Sequence, residues 1–221
     1  SEGQSYALLR SVWMNDREAF DRVLHWSNNN LRVRDDNLYG WKWGQKDNGE
    51  WTIIDNFSAS DADQDIAFAL ILAYEKWQDS KYLDQAKALL NDIWAKLVIE
   101  VDNQYYLTAG DWGKDQQKIQ LNPSYFAPYA YRIFAKYDTN HNWIGLVDTS
   151  YKVIEKSSNL SIVKLPPDWV CLDKTTNALT YVHSPESKEN DFSYDAIRVF
   201  WRLALDYLYS EDERALHYLK N

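Results

Sequence analysis

Apolar residues return at helical intervals along most of this chain. Between residue 4 and about residue 28 they fall at Leu9, Val12, Trp13, Phe20, Val23 and Leu24, a spacing that puts them on one face of a helix. Stretches of the same kind cover about 62–77, 82–98, 124–137, 143–157, 194–208 and 211–220. The pattern predicts about seven helices, mostly in antiparallel pairs, with little strand. Between them the polar pattern predicts an extended piece around 38–43, a turn-rich segment over 47–58, a hairpin near 105–107 and a long connection over 166–193. Loops of this length inside a compact domain usually carry function. No fixed-period repeat is visible, which argues against a solenoid, and residues 1–221 read as a single domain.

Composition sharpens this picture at two points. The chain holds 11 Trp and 16 Tyr against 7 Gly and 5 Pro, which suits helices and supplies more large aromatics than a core needs, so some are expected to line a surface. The formal net charge of -9 argues against nucleic acid and anionic membranes, which reward basic patches. A neutral ligand such as a sugar is compatible with it. Cys171 is the single cysteine, which excludes a disulfide within the chain, and no apolar run approaches the length of a membrane span.

Several familiar chemistries fail on inspection. Asp61, Asp63 and Asp65 imitate the start of a calcium loop, but Ile66 stands at the glycine position and Leu72 at the closing glutamate. DTNHNWIGLVDT fails likewise, with Trp143 at the glycine position. His25, His141, His183 and His217 show no metal-ligand spacing. The glycine-rich and serine signatures of phosphoryl transfer, hydride transfer and serine hydrolysis are not there. Neither a metal nor a cofactor is expected.

Three segments share one design: a polar loop, a small hydroxyl residue, then an acid in the first helical turn. They are SEGQSY with Glu2, SASDADQDIA with Asp61 and Asp63, and FSYDAIR with Asp195. Ser1 and Gln4 also fit a capping box. Capping alone would account for each segment, since serine and aspartate satisfy free N–H groups and favour the helix dipole. Their context suggests more. Gly3 would let the backbone approach something closely, and Arg198, three residues after Asp195, can reach its carboxylate and keep it ionised. If the helix starts gather at one end, carboxylates and aromatic faces meet in a cleft. That combination suits glycoside hydrolysis. An inverting enzyme sets one protonated carboxyl on the leaving oxygen and one carboxylate behind a water, about 6.5–9.5 Å apart.

These segments resemble glycoside hydrolase family 8, which comprises inverting endoglucanases, chitosanases and xylanases. The matching blocks are SEGQSYALL, NFSASDADQDIAFALILA, NPSYFAPYAYRIF, LPPDWV and YDAIRVFWRLALDY. They keep the family's order and span nearly the whole chain. The resemblance implies an all-α fold, an (α/α) barrel of six helical hairpins. It implies that Glu2 is the general acid and Asp195 the general base, and that Asp61 contacts the central sugar and supports its distorted ring. Tyr194 and Arg198 match the residues flanking the base, and Asp63 is carried over with them as a substrate-binding residue. Trp41, Trp43, Trp112 and Tyr125 are candidate sugar platforms. An Asp at 195 favours the cellulase-like branch, while Phe200 replaces an expected proline.

The family's domains are longer at both ends, and about seven helices cannot close six hairpins. The chain is therefore expected to be a piece or a naturally shortened member. A secreted or periplasmic monomer acting on β-1,4-linked polysaccharide follows from the resemblance. For Glu2 to carry a proton near neutral pH, burial against aromatics and the nearby Asp61 are expected. Two alternatives stay open: a non-catalytic glycan-binding accessory protein that keeps the aromatic cleft, and a helical interaction protein whose acids are all caps.

Overall fold

A computed structural model describes residues 1–182 and 192–220. His183, and the part of the expected connection over 183–191, lie outside the described residues. The backbone divides into two compact units, one of residues 1–97 with 110–112, the other of 98–109 with 113–221.

In the first unit the expected opening helix is two helices, α1 (Glu2–Trp13) and α2 (Arg17–Asn30). The sequence MNDR breaks it. Asn15 adopts a left-handed φ of 58°, which asparagine tolerates better than most residues, and Asp16 caps α2 by accepting from the Ala19 N–H at 2.9 Å. The apolar spacing persists across the break, because α1 buries Leu8, Leu9 and Val12 while α2 buries Phe20 and Leu24. The chain then forms a hairpin of β1 (Gly40–Gln45) and β2 (Trp51–Ser58). The segment read as turn-rich is thus largely strand. Two register shifts interrupt the pairing, and they erase the simple alternation that marks a strand.

Next come α3 (Ser60–Trp77) and α4 (Ser80–Leu97). Every residue of α3 from Ser60 to Ile71 is buried, as befits a helix packed on all sides; α1 and α4 both lie against it. Its C-terminus closes on Gln78, left-handed at φ 55°.

Charges tie the loops of this unit down. Arg34 donates to Asp36 from Nε at 2.8 Å and Nη2 at 3.0 Å, and to Asp111 at 2.7 Å. Lys96 on α4 adds a 2.6 Å bond to Asp36. Asp111 in turn accepts from the Ser58 N–H at 3.0 Å, which fastens residues 110–112 to the end of β2. Gly110 is required there, since a Cβ would stand 2.3 Å from the Ser58 carbonyl oxygen.

In the second unit, β3 (Val98–Val101) and β4 (Gln104–Leu107) make the expected hairpin. Its two-residue turn, Asp102 and Asn103, has φ of 49° and 59°, as a turn matched to strand twist demands. Strands β5 (Lys118–Leu121), β6 (Val170–Asp173) and β7 (Leu179–Tyr181) form an antiparallel sheet in that order. Two of them lie in the segment read as a connection. The helix expected over 124–137 is a 3-10 turn, Pro123–Tyr125, followed by α5 (Pro128–Tyr137), with Pro128 at a helix start where its missing N–H costs nothing. Helices α6 (Trp143–Ser158), α7 (Arg198–Ser210) and α8 (Glu213–Lys220) complete eight α-helices among the described residues. Asp206 of α7, wholly buried, accepts from Arg132 of α5 at 3.0 Å and from the Tyr151 hydroxyl of α6. No helix among the described residues is long and apolar enough to cross a membrane.

Burial pushes the Asp36 carboxyl up, but hydrogen bonds from Arg34 and Lys96 outweigh it and hold it at about 2. That lies below its unfolded value of about 3.9, so the stabilisation is complete above the unfolded value and is lost as pH falls through about 2. Asp36→Asn is expected to melt well below the wild-type protein at pH 7, with the gap closing as thermal unfolding is followed down to pH 2. A gap that stays constant over that range would show that Asp36 does not act through its charge.

Candidate active site

The site residues fall into two sets, one in each unit. In the first, Glu2 is the first residue of α1 and its side chain is exposed, so the burial expected of it is not found. Its carboxylate accepts from the Tyr6 hydroxyl one turn on, at 2.9 Å, and Gly3 beside it has nothing within 4 Å of where a Cβ would stand. The expected capping box does not form either. Ser1 is the N-cap but makes no side-chain capping bond; its nitrogen donates instead to the Trp41 carbonyl at 2.7 Å. The start of α1 is therefore pinned to β1, and Ser1 lies within electrostatic reach of Asp61, Asp63 and Glu2.

Asp61 and Asp63 occupy the first turn of α3, whose N-cap is Ala59. Asp61 is nearly buried, at 3% exposure. Asp63 is wholly buried and accepts the Tyr39 N–H at 2.9 Å, so within this chain it faces protein and not a ligand. Trp41 on β1 is exposed, with the Lys42 ammonium 5.5 Å from its ring centre. Trp112, exposed as well, follows the Asp111 anchor. Trp43 differs from both. Trp51 stacks on it at 4.9 Å and Trp26 meets it edge-on at 5.2 Å, so protein covers much of the ring expected to hold a sugar.

In the second unit Asp195 lies in a turn three residues ahead of α7, not in its first helical turn. Arg198 and Asn122 both bind its carboxylate. Arg198 pairs with Oδ1, and Asn122 Nδ2 donates to Oδ2 at 3.1 Å. The Arg198 guanidinium also lies over the Tyr125 ring at 5.2 Å, while Trp169 meets that ring edge-on. One face of Tyr125 thus serves Arg198 and is closed to a sugar. Tyr194 is almost fully exposed at 94%.

Two residues that build this set were missed in the sequence. Asn122 caps the 3-10 turn by accepting from the Ser124 N–H at 3.0 Å, leaving its amide nitrogen for Asp195. Asp168 binds the turn that carries Asp195, accepting from the Ser193 N–H at 3.1 Å, the Ser193 hydroxyl and the Ala196 N–H at 2.7 Å. Both sit in blocks quoted above, NPSYFAPYAYRIF and LPPDWV.

No group of three or more His, Cys, Asp or Glu side chains that could hold a metal ion occurs among the described residues. What the arrangement offers is carboxylate chemistry: one carboxylate fixed by a cation and an amide, an exposed acid at a helix start, and partly exposed aromatic rings.

Comparison with known proteins gives this helical fold and its carboxylates a family. The family model for glycosyl hydrolases family 8 matches residues 1–218, and the chain belongs to that family. Its helical hairpins are of the (α/α) barrel class found in the family's solved structures. Endoglucanase C of Ruminiclostridium cellulolyticum is 36% identical over 214 residues, which is 94% of this chain and 42% of that protein. The endoglucanase of Escherichia coli strain K12 is 33% identical over 204 residues, 90% of this chain and 53% of that protein. The crystal structure of an endo-1,4-D-glucanase from Vibrio fischeri superposes with a TM-score of 0.85 at 28% identity, covering 99% of this chain and 62% of that one. The chain thus spans about half the length of the relatives it matches.

Asn122→Ala should remove one donor from Asp195 and free the cap of the 3-10 turn. An N-cap loss costs about 0.5–2 kcal/mol, and urea unfolding should show a loss of that size. Asn122→Asp, which keeps the cap but sets a second carboxylate against Asp195, should be destabilised more at pH 7 than at pH 3. Equal losses at both pH values would mean that Asn122 and Asp195 do not interact.

Proposed function

We propose that this chain carries the acid and base of an enzyme that hydrolyses internal β-1,4 links of a glucan with inversion, within a single catalytic domain. The carrying observation is the held carboxylate of Asp195, in a chain that the family model matches from residue 1 to 218. Relatives named endoglucanase support glucan as the substrate.

The roles divide as follows. Glu2 gives its proton to the glycosidic oxygen as the bond to C1 breaks. Asp195 takes a proton from a water whose oxygen attacks C1 from the opposite face, so one water is consumed and the anomeric configuration inverts. Arg198 and Asn122 keep Asp195 oriented. Asp61 supports the ring of the sugar being cleaved, and Tyr194 contacts sugars beside the base. Trp41 and Trp112 stack on sugars in flanking positions; Trp43 backs the hairpin, and Tyr125 seats Arg198. The enzyme acts as a monomer, secreted or periplasmic, where a polymer too large to cross a membrane is met.

The exposed Glu2 favours one other reading, a glycan-binding protein that keeps the aromatic rings and does no chemistry. Reducing-end release from soluble β-1,4-glucan separates the two. The proposal expects hydrolysis by this chain, with Glu2→Gln and Asp195→Asn each falling about 10²–10⁴-fold while thermal unfolding stays cooperative. Binding without release would establish the accessory reading. Near-normal activity in either variant would remove that residue from its role.

A further inference from the structure

Asp63 carries a reactive side chain that has no access to solvent. One carboxyl oxygen accepts the Tyr39 N–H at 2.9 Å, and the other is buried with no hydrogen-bond partner. A buried oxygen without a hydrogen-bond partner destabilises the fold. An apolar residue of similar size would avoid that cost but would leave the Tyr39 N–H without an acceptor.

The segment held by Asp63 leads directly to Trp41. The Tyr39 hydroxyl donates to Asn28 Oδ1 on α2 at 2.6 Å, and Gln85 on α4 donates to that hydroxyl at 2.9 Å. The Gly40 N–H donates to the Leu31 carbonyl at 2.8 Å, and a Cβ at Gly40 would stand 2.9 Å from Asn56 Oδ1. The Trp41 carbonyl is bound by Ser1, beside Glu2. Within this set of contacts the Asp63 bond runs to the helix that carries Asp61.

We propose that Asp63 is a positioning residue for glycan binding. Its carboxyl fixes the backbone of residues 39–41 against the first turn of α3, and so sets where Trp41 stands relative to Asp61 and Glu2. It does not touch the sugar. The link to binding rests on the proposed role of Trp41 as a sugar platform; the link to backbone position does not.

The charge of Asp63 bears on how firmly that bond holds. Burial pushes its carboxyl well above the usual range; the Tyr39 N–H and Arg34 oppose this, and the negative charges of Asp61 and Asp36 add to it. A carboxyl raised in the folded state stabilises fully below its unfolded value of about 3.9, and that contribution is lost as pH rises through the folded value. Asp63→Asn keeps an acceptor oxygen and cannot ionise, so its stability relative to wild type should climb with pH.

The test compares wild type, Asp63→Asn, Asp63→Ala, Trp41→Ala and the Asp63→Ala/Trp41→Ala double variant of this chain. Three readouts serve: amide hydrogen exchange, unfolding against pH, and cellopentaose affinity. Asp63→Ala should lose protection at the Tyr39 and Trp41 amides about tenfold or more, while Leu89 and Leu90 in α4 keep theirs. Its affinity should fall about as far as that of Trp41→Ala, and the double variant should bind no more weakly than Trp41→Ala. Asp63→Asn should keep the Tyr39 amide protected. Unchanged exchange at 39–41 in Asp63→Ala, or affinity losses that multiply in the double variant, would overturn the proposal. Should Asp63→Ala not fold, the pH arm decides: coincident pH profiles for wild type and Asp63→Asn would also overturn it. A wild-type chain that does not bind cellopentaose would refute the glycan reading, and the exchange and pH arms would still decide whether Asp63 holds the segment.

Discussion

Carboxylates accepting backbone N–H groups hold the loops of this chain in place. Asp16 accepts from Ala19, Asp36 from Leu38, Asp63 from Tyr39, Asp111 from Ser58 and Asp168 from Ser193 and Ala196. Strand pairing is sparse in such a helix-rich chain, so the long loops have few other partners for their amides, and a buried amide without a partner is costly. Part of the strong acidity of the sequence therefore belongs to the scaffold. The same bonds place the candidate chemistry: Asp111 sets the loop that ends in Trp112, Asp63 the strand entry before Trp41, and Asp168 the turn bearing Asp195.

This explains what could be seen in the sequence and what could not. The α3 and α4 stretches were legible because their apolar spacing is long and uninterrupted. The break between α1 and α2 was hidden because Val12 and Phe20 keep one apolar face across it, while the turn itself rests on Asn15 and Asp16. β2 was obscured by its two register shifts. The capping account of the three acidic segments fails in detail, since Ser1 makes no side-chain cap, Ala59 is the N-cap of α3 and α7 starts beyond Asp195. Acid type and order were visible, as was Arg198 as a partner of Asp195; the partners supplied from farther along the chain were not. Asn122 and Asp168 act over 73 and 28 residues of chain, a distance that local pattern does not encode.

The two site sets are built on different physics. Asp195 is held by the Arg198 cation and the Asn122 amide, an arrangement that fixes how a carboxylate points. Glu2 stands exposed at a helix start fixed to β1, with aromatic rings on the same unit. Trp43 and Tyr125 show how aromatic content can mislead: both rings are committed to protein partners, Trp51 and Trp26 for the first, Arg198 and Trp169 for the second. Trp41 and Trp112 keep exposed surface.

The central claim is that a water activated by Asp195 attacks the sugar from the face opposite the leaving group. Proton NMR of the first product released from a soluble β-1,4-glucan tests it directly. The account predicts that the α-anomer appears first and relaxes to the equilibrium mixture; a β-anomer appearing first would contradict it.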